Sequence, residues 1–319
     1  MIQERYLYHN FPRRGAGSAT EINKGLAILS CIRDLGLLLV PEAIEWSQPV
    51  TNGPPRAFPV LQSRVCFTDL SPAELSQHGE RFGHFALEFD VESVRRLGAM
   101  PVFYIPQREG GVGTSLLALI ADARYVVNRA AQLDNILRTY ADSGQSIKLQ
   151  TGFARNPGAE RTFLIRNNEI NTYLEALNYL NHLITPWQML SIGMDAALNF
   201  FYPADNVIHD KPLQYYQQRE WRIACNFAIN GVYVLREPTP EEKTRITEID
   251  PAFFSRVIQT DLGQFATLDK SLIHPGLNGR TILQLARRVI VPESALEESR
   301  SLLSIMKDVS EIVSIESLA

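Results

Sequence analysis

The sequence predicts an α/β (α+β) chain, a mixed-sheet core with a helical insertion, and three observations carry that prediction. Short aromatic or β-branched runs alternate with helical stretches near both ends of the chain. The middle holds long stretches with helical spacing and little Pro or Gly, and no segment repeats at a fixed period. At 319 residues without a flexible linker, one core interrupted by an insertion is the economical arrangement. Residues 1–112 and 201–319 are read as the two halves of the core, and 113–200 as the insertion.

The elements follow in order. Tyr6-Leu7-Tyr8-His9-Asn10-Phe11 is an aromatic run stopped by Pro12, which predicts a first strand with His9 near its end. Ser18 and Glu21 are spaced as a capping box, and Ile22, Leu26, Leu29 and Ile32 fall on one face of the helix they open, which runs to Gly36. Four prolines and a glycine between Trp46 and Pro59 read as loop. Arg64-Val65-Cys66-Phe67-Thr68 is a second strand, and Ser71-Pro72 starts a helix after it. Phe82–Asp90 and Pro101–Ile105 are strands bracketing a short helix over Val91–Leu97. Helical spacing then covers Ser115–Tyr140 and Asn168–Leu183. The sheet resumes at Glu220–Ile229 and Val232–Leu235 around the hairpin signal Asn230-Gly231, and the chain ends in an Arg287–Val291 strand and a helix from Pro292 to about Lys307.

Bulk composition narrows the function classes. A net charge of −4 gives no electrostatic footprint for binding nucleic acid or an acidic membrane through bulk charge, and leaves only local basic patches. No apolar stretch reaches the roughly 18–20 residues of a membrane span, and the N-terminus lacks a signal-peptide pattern. Three well-separated cysteines, Cys31, Cys66 and Cys225, suit a reducing compartment, so the expectation is a cytoplasmic protein.

Arg219-Glu220-Trp221-Arg222, opening an apolar run, is the most informative motif. A carboxylate beside two guanidiniums at a strand start is held ionised and aimed from a sheet rim, which makes Glu220 the first candidate for a working acid. The alternative is an ion-paired glutamate on a strand edge. Adjacent strand residues point to opposite faces, so Arg222 is expected beside Glu220 to meet a ligand anion, and Trp221 to be buried as a packing anchor. His9, next to Asn10, is the second candidate, because a neutral imidazole donates to a ribose hydroxyl while aromatic neighbours wall a pocket. Phe67 and Thr68 supply a stacking face and a hydroxyl at the end of their strand; a buried strand with a capping Asp69 is the alternative. His78, His84 and Glu88 match no zinc spacing, so no metal is expected. Cys66 in a strand interior reads as an inert thiol, and Gly110-Gly111-Val112-Gly113 lacks the lysine and spacing of a phosphate cradle.

Leu7-Tyr8-His9, Arg33-Asp34-Leu35-Gly36-Leu37, Val65-Cys66-Phe67-Thr68-Asp69, the Gly83–Asp90 strand and Arg219-Glu220-Trp221-Arg222 together resemble the AbiGi family of bacterial abortive-infection proteins. The resemblance covers most of residues 5–106 and 215–230. Gln218 departs from it where an acidic residue is usual, and 113–200 carries no matching motif. AbiGi proteins are described as antitoxins of phage-resistance systems, which implies a partner toxin. The order of histidine, aromatic and glutamate strands is also similar to that of ADP-ribosyltransferases of the DarT-like and PARP-like groups. That likeness implies a transferase-like core with NAD as substrate and a macromolecule as acceptor, or NAD hydrolysis. Glu220 and His9 would then be catalytic. His9, Asn10, Phe67, Thr68 and Arg222 would hold NAD, with His9 on the adenosine-side ribose, Phe67 stacked on nicotinamide and Arg219 or Arg222 on the pyrophosphate. A carboxylate beside an oxocarbenium-like transition state makes the chemistry coherent.

Overall fold

The structure, a computed structural model, describes residues 5–13, 18–48, 56–105, 112–151, 161–178, 190, 193–194, 197–203, 219–224, 228–229, 232–260, 263–306 and 311–318. The chain divides into two compact units, Met1–Thr114 with Leu198–Ala319, and Ser115–Ala197.

The first unit is built on a mixed sheet. Its N-terminal half contains β1 (Tyr6–Phe11), α1 (Ser18–Leu35), β2 (Leu37–Gln48), β3 (Arg56–Leu70), α2 (Pro72–Phe82), β4 (Phe85–Phe89), α3 (Val91–Arg96), β5 (Met100–Pro101) and β6 (Phe103–Ile105). The second unit takes up α4 (Val112–Ser143) from Ser115 onward, an antiparallel β7 (Ile147–Thr151) and β8 (Arg161–Ile165), and α5 (Asn167–Asn178). The first unit resumes with β9 (Phe201–Pro203), β10 (Glu220–Ala224), β11 (Ala228–Ile229) and β12 (Val232–Tyr233). A helix over Pro240–Ile249 precedes β13 (Val257–Thr260), β14 (Gly263–Thr267), β15 (Leu272–His274), β16 (Gly276–Leu277) and β17 (Arg280–Thr281). The chain closes with β18 (Arg288–Val291), a helix over Leu296–Leu303 and β19 (Glu311–Ser314).

The sheet runs β15-β2-β3-β1-β4-β18-β19, with β10 paired to β3 and β5 paired to β10. Among the described residues only β18 and β19 pair in parallel within it. β3 is the organising strand. Arg64 is paired with Val40 of β2 on one flank and Ala224 of β10 on the other. Thr68 is paired with Tyr8 of β1 and Glu220 of β10. β2 and β1 therefore share one flank of β3 and part from each other near Cys66, while β10 covers the opposite flank from Arg64 to Thr68. Strand alternation sends Val65 and Phe67 to one face and Arg64, Cys66 and Thr68 to the other. The first face is apolar: Leu7, Leu29, Val65, Phe67, Leu87, Phe89, Ile223 and Val289 belong to one buried core that α1 covers.

The β7–β8 pair, inside an insertion expected to be helical, and the strands β13 to β17 have no counterpart in the expected elements, and two further departures bear on the sheet and its cover. Trp46–Gln48 and Arg56–Pro59, read as loop from their prolines, are the ends of β2 and β3, in register from Val40↔Arg64 to Gln48↔Arg56. Proline is tolerated there because, among the described residues, β10 pairs with β3 only over Arg64–Thr68, which leaves Pro59 on an edge stretch with no ladder bond to give up on its outer side. The helix over Pro240–Ile249 has no counterpart in the expected elements, although Thr239 and Glu242 form a capping box with proline at the first helical position. The Asn230-Gly231 turn and the Gly110-Gly111 pair lie outside the described residues; the strands flanking the turn pair as Ile229↔Val232.

Candidate functional site

Glu220 enters β10 from Arg219, whose φ of 45° puts it in the left-handed region and turns the chain sharply into the strand. From there the register dictates what the carboxylate meets. Glu220, Arg222 and Ala224 share a face with their partners Thr68, Cys66 and Arg64, and Met100 sits across from Arg222 on the other flank. The result is a polar layer on the sheet face opposite the apolar core.

That layer is dense and largely self-satisfied. The Arg222 guanidinium is fully buried and grips Glu220 with both prongs, Nε to Oε1 at 2.7 Å and Nη2 to Oε2 at 3.1 Å. Its Nη1 donates to Gln62 Oε1 at 3.2 Å and to the Asn199 carbonyl at 3.5 Å. Arg64, also buried, donates to the same Gln62 oxygen at 2.9 Å and to Glu42 at 2.5 Å. Gln62 in turn donates to the Leu198 carbonyl at 2.8 Å. Both guanidiniums lie over the Tyr202 ring, 4.8 Å away for Arg222 and 5.4 Å for Arg64. The Tyr104 hydroxyl donates to Glu220 Oε2 at 3.4 Å.

Electrostatics follow from this packing. Burial alone would raise the Glu220 pKa, but the Arg222 guanidinium, aided by Arg64, more than offsets it and holds the carboxyl at about 2. Burial, and then the nearby Glu220 charge, pushes the Cys66 thiol up to about 12, so it is the inert thiol its strand position predicts. The same two causes raise Tyr104.

His9 stands elsewhere. It follows Tyr8 on β1, so alternation puts it with Leu7 and Phe11 on the apolar face, its ring 5.8 Å from Phe67 and 6.0 Å from Phe11. Its Nδ1 donates to the Cys66 carbonyl at 2.9 Å, closing the space where β1 and β2 part along β3. Burial lowers its pKa, so the neutral ring is favoured. Phe67 has no exposed surface and packs edge-on against Phe89 at 5.6 Å. Asn10, back on the other face, donates to the Gly83 carbonyl at 3.0 Å, and Thr68 is buried between Tyr8 and Glu220 in the ladder.

His9 and Phe67 do not share a face of the sheet with Glu220. β3 itself separates them, with His9 and Phe67 on its apolar face and Glu220 and Arg222 on its polar face. Phe67 offers no surface for nicotinamide, and Arg222 is committed to Glu220 rather than open to a ligand anion. Trp221 is on the face opposite Glu220 as alternation requires, yet it is only half-buried against the core and falls short of a fully enclosed anchor. Arg219 is exposed and pairs with Glu74 at 3.0 Å.

Residues that sequence reasoning passed over complete the polar layer: Gln62, Arg64, Tyr104 and Tyr202. The available signal was an arginine and a glutamine two apart in β3, a spacing that places two polar side chains on one face of a strand. His78, His84 and Glu88 do not assemble. His78 stacks on Phe82 at 4.4 Å, His84 faces Glu21 at 3.4 Å, and Glu88 is bonded to Tyr8 and Arg288. Among the described residues no group of three or more His, Cys, Asp or Glu side chains could hold a metal ion, and no helix is long and apolar enough to cross a membrane.

Comparison with known proteins returns no matching family model, no matching curated protein and no matching solved structure. The likenesses to AbiGi proteins and to ADP-ribosyltransferases rest on the sequence motifs alone.

Proposed function

We propose that this chain is a bacterial phage-defence protein that works by binding, an AbiGi-type antitoxin that holds a partner toxin, and that it does not transfer ADP-ribose from NAD. The observation that carries this reading is the separation of His9 and Phe67 from Glu220 by the strand between them, together with the two-pronged Arg222–Glu220 pair. A glycosyl-transfer site needs its carboxylate free beside the reacting carbon and an aromatic face open to the leaving ring. Here the carboxylate is occupied and the aromatic ring is core.

The binding reading also draws on the second unit, which presents large apolar side chains to solvent. Phe163 and Leu164, neighbours on β8 and so on opposite faces of it, are both at least half exposed. Two measurements test the proposal. Purified protein incubated with NAD should release no nicotinamide above buffer, and release that Glu220→Gln abolishes would overturn it. A co-expressed toxin of an AbiGi-type system should be neutralised by the native chain and not by a folded Phe163→Asp, Leu164→Asp variant.

A further inference from the structure

The polar layer has a cover. Over it lie β6 and β9, which among the described residues pair only with each other, in parallel, as Phe103↔Phe201, Tyr104↔Tyr202 and Ile105↔Pro203. Alternation turns Tyr104 and Tyr202 onto the layer and Phe103 and Phe201 away from it, their rings 5.9 Å apart and Phe103 about half exposed. A parallel pair of three-residue strands, open on one face, does not hold itself together. It persists because of what lies beneath it.

The described ties between this piece and the layer are side-chain contacts. Gln62 Nε2 donates to the Leu198 carbonyl at 2.8 Å, Arg222 Nη1 to the Asn199 carbonyl at 3.5 Å, and the Tyr104 hydroxyl to Glu220 at 3.4 Å. The Tyr202 ring faces both guanidiniums. Backbone bonding changes partner just before β6: the Val102 amide donates to the Glu220 carbonyl at 2.8 Å, and the Phe103 amide donates to the Phe200 carbonyl at 2.8 Å. The ion pairs, by contrast, are internal to the sheet. Arg222–Glu220 lies within β10, and Arg64 on β3 pairs with Glu42 on β2. Lifting β6 and β9 therefore leaves both pairs intact and lets the arginines rehydrate, at the cost of exposing a few side chains, Ile105, Leu198 and Tyr202 among them. Unfolding the sheet costs its whole core.

We infer that β6 and β9, with residues 198–200, form a latch over the polar layer that opens as one piece while the sheet stays folded, and that Tyr202 is its bolt. The chain enters the second unit, Ser115–Ala197, after β6 and returns from it just before β9, so both of its connections run through the latch. Opening bares the Glu220–Arg222 pair to solvent.

Native-state amide exchange on the full chain tests this. The amides that pair β6 with β9, Phe103 included, should show protection about a hundredfold lower than those pairing β1 with β4, and should respond less to added urea because the opening exposes less surface. Tyr202→Leu removes the ring facing both guanidiniums and should lower latch protection by about a further tenfold, with β1 and β4 unchanged. Phe67→Leu, a mild core truncation, should do the converse: protection falls in β1 and β4 and the latch keeps its own. Latch amides that exchange together with β1 and β4, that have no protection in the native chain, or that ignore Tyr202→Leu overturn the inference.

Discussion

Glu220 illustrates how one residue type supports two chemistries that only its surroundings separate. In a strand rim beside arginines it reads as an acid poised for work; with its oxygens both taken by a fully buried guanidinium it becomes half of a structural pair. Removing one partner of a buried pair leaves an uncompensated charge, so Glu220→Gln should cost roughly 3–5 kcal/mol of stability. Replacing both partners by apolar residues of similar size, Glu220→Leu with Arg222→Met, should recover much of that loss. Urea unfolding of the three proteins decides the matter, and a Glu220→Gln protein as stable as the native chain would show that the pair is not structural. Phe67→Ala should cost about 3–5 kcal/mol as a core truncation, and the half-buried Trp221→Ala less than that. The reverse ranking would place Phe67 outside the core.

Among the elements, α1 and β4 are packed so closely that a glycine is required between them. A Cβ at Gly25 would lie 2.3 Å from the Phe85 ring, whereas an exposed glycine in a helix normally gains up to about 1 kcal/mol on becoming alanine. The clash reverses that sign, and Gly25→Ala should destabilise the protein by roughly 1–3 kcal/mol in chemical denaturation. A stabilised variant would mean that α1 stands further from β4. Elements such as α1, β1 and α3 were legible because each announces itself locally: apolar residues at helical spacing from Ile22 to Ile32, an aromatic run before Pro12, and Asp90 ahead of Val91, which in the structure caps α3 by accepting from the Ser93 amide at 2.6 Å. The β2–β3 ladder was not, because proline forbids a ladder bond only on the side where one is needed, and sequence does not say which side is an edge. The same limit hid the polar layer. Alternation correctly put Glu220 and Arg222 on one face and Trp221 on the other. Which face His9 shares depends on the register of β1 against β3 across some sixty residues, and a one-residue slip would invert the answer.

At the scale of the whole molecule, buried neutral imidazoles set the acid limit of the fold. His274 is fully enclosed, with Nε2 donating to the Leu97 carbonyl at 3.1 Å and Nδ1 accepting from the Gly276 amide at 3.2 Å, an arrangement that only the neutral ring satisfies. Burial lowers its pKa, and burial likewise lowers those of His9 and His78, the last to about 4. A histidine whose folded pKa is depressed binds its proton more readily in the unfolded chain, whose ordinary value is about 6.5. The stability these rings contribute is therefore fully present above about pH 6.5 and is lost progressively as pH falls, for His78 until about pH 4. Carboxylates add a later stage of the same sign: Glu220, Asp34 and Glu74 are each held at about 2, so their contribution disappears only below the ordinary carboxylate value of about 4. Melting temperature should thus fall in two stages on acidification, first between about pH 6.5 and 4 and again below it. His274→Gln can keep one donor and one acceptor but cannot titrate, and should shallow the first stage while leaving the second unchanged. An unaltered slope above pH 4 in that variant would show that His274 does not supply the first stage.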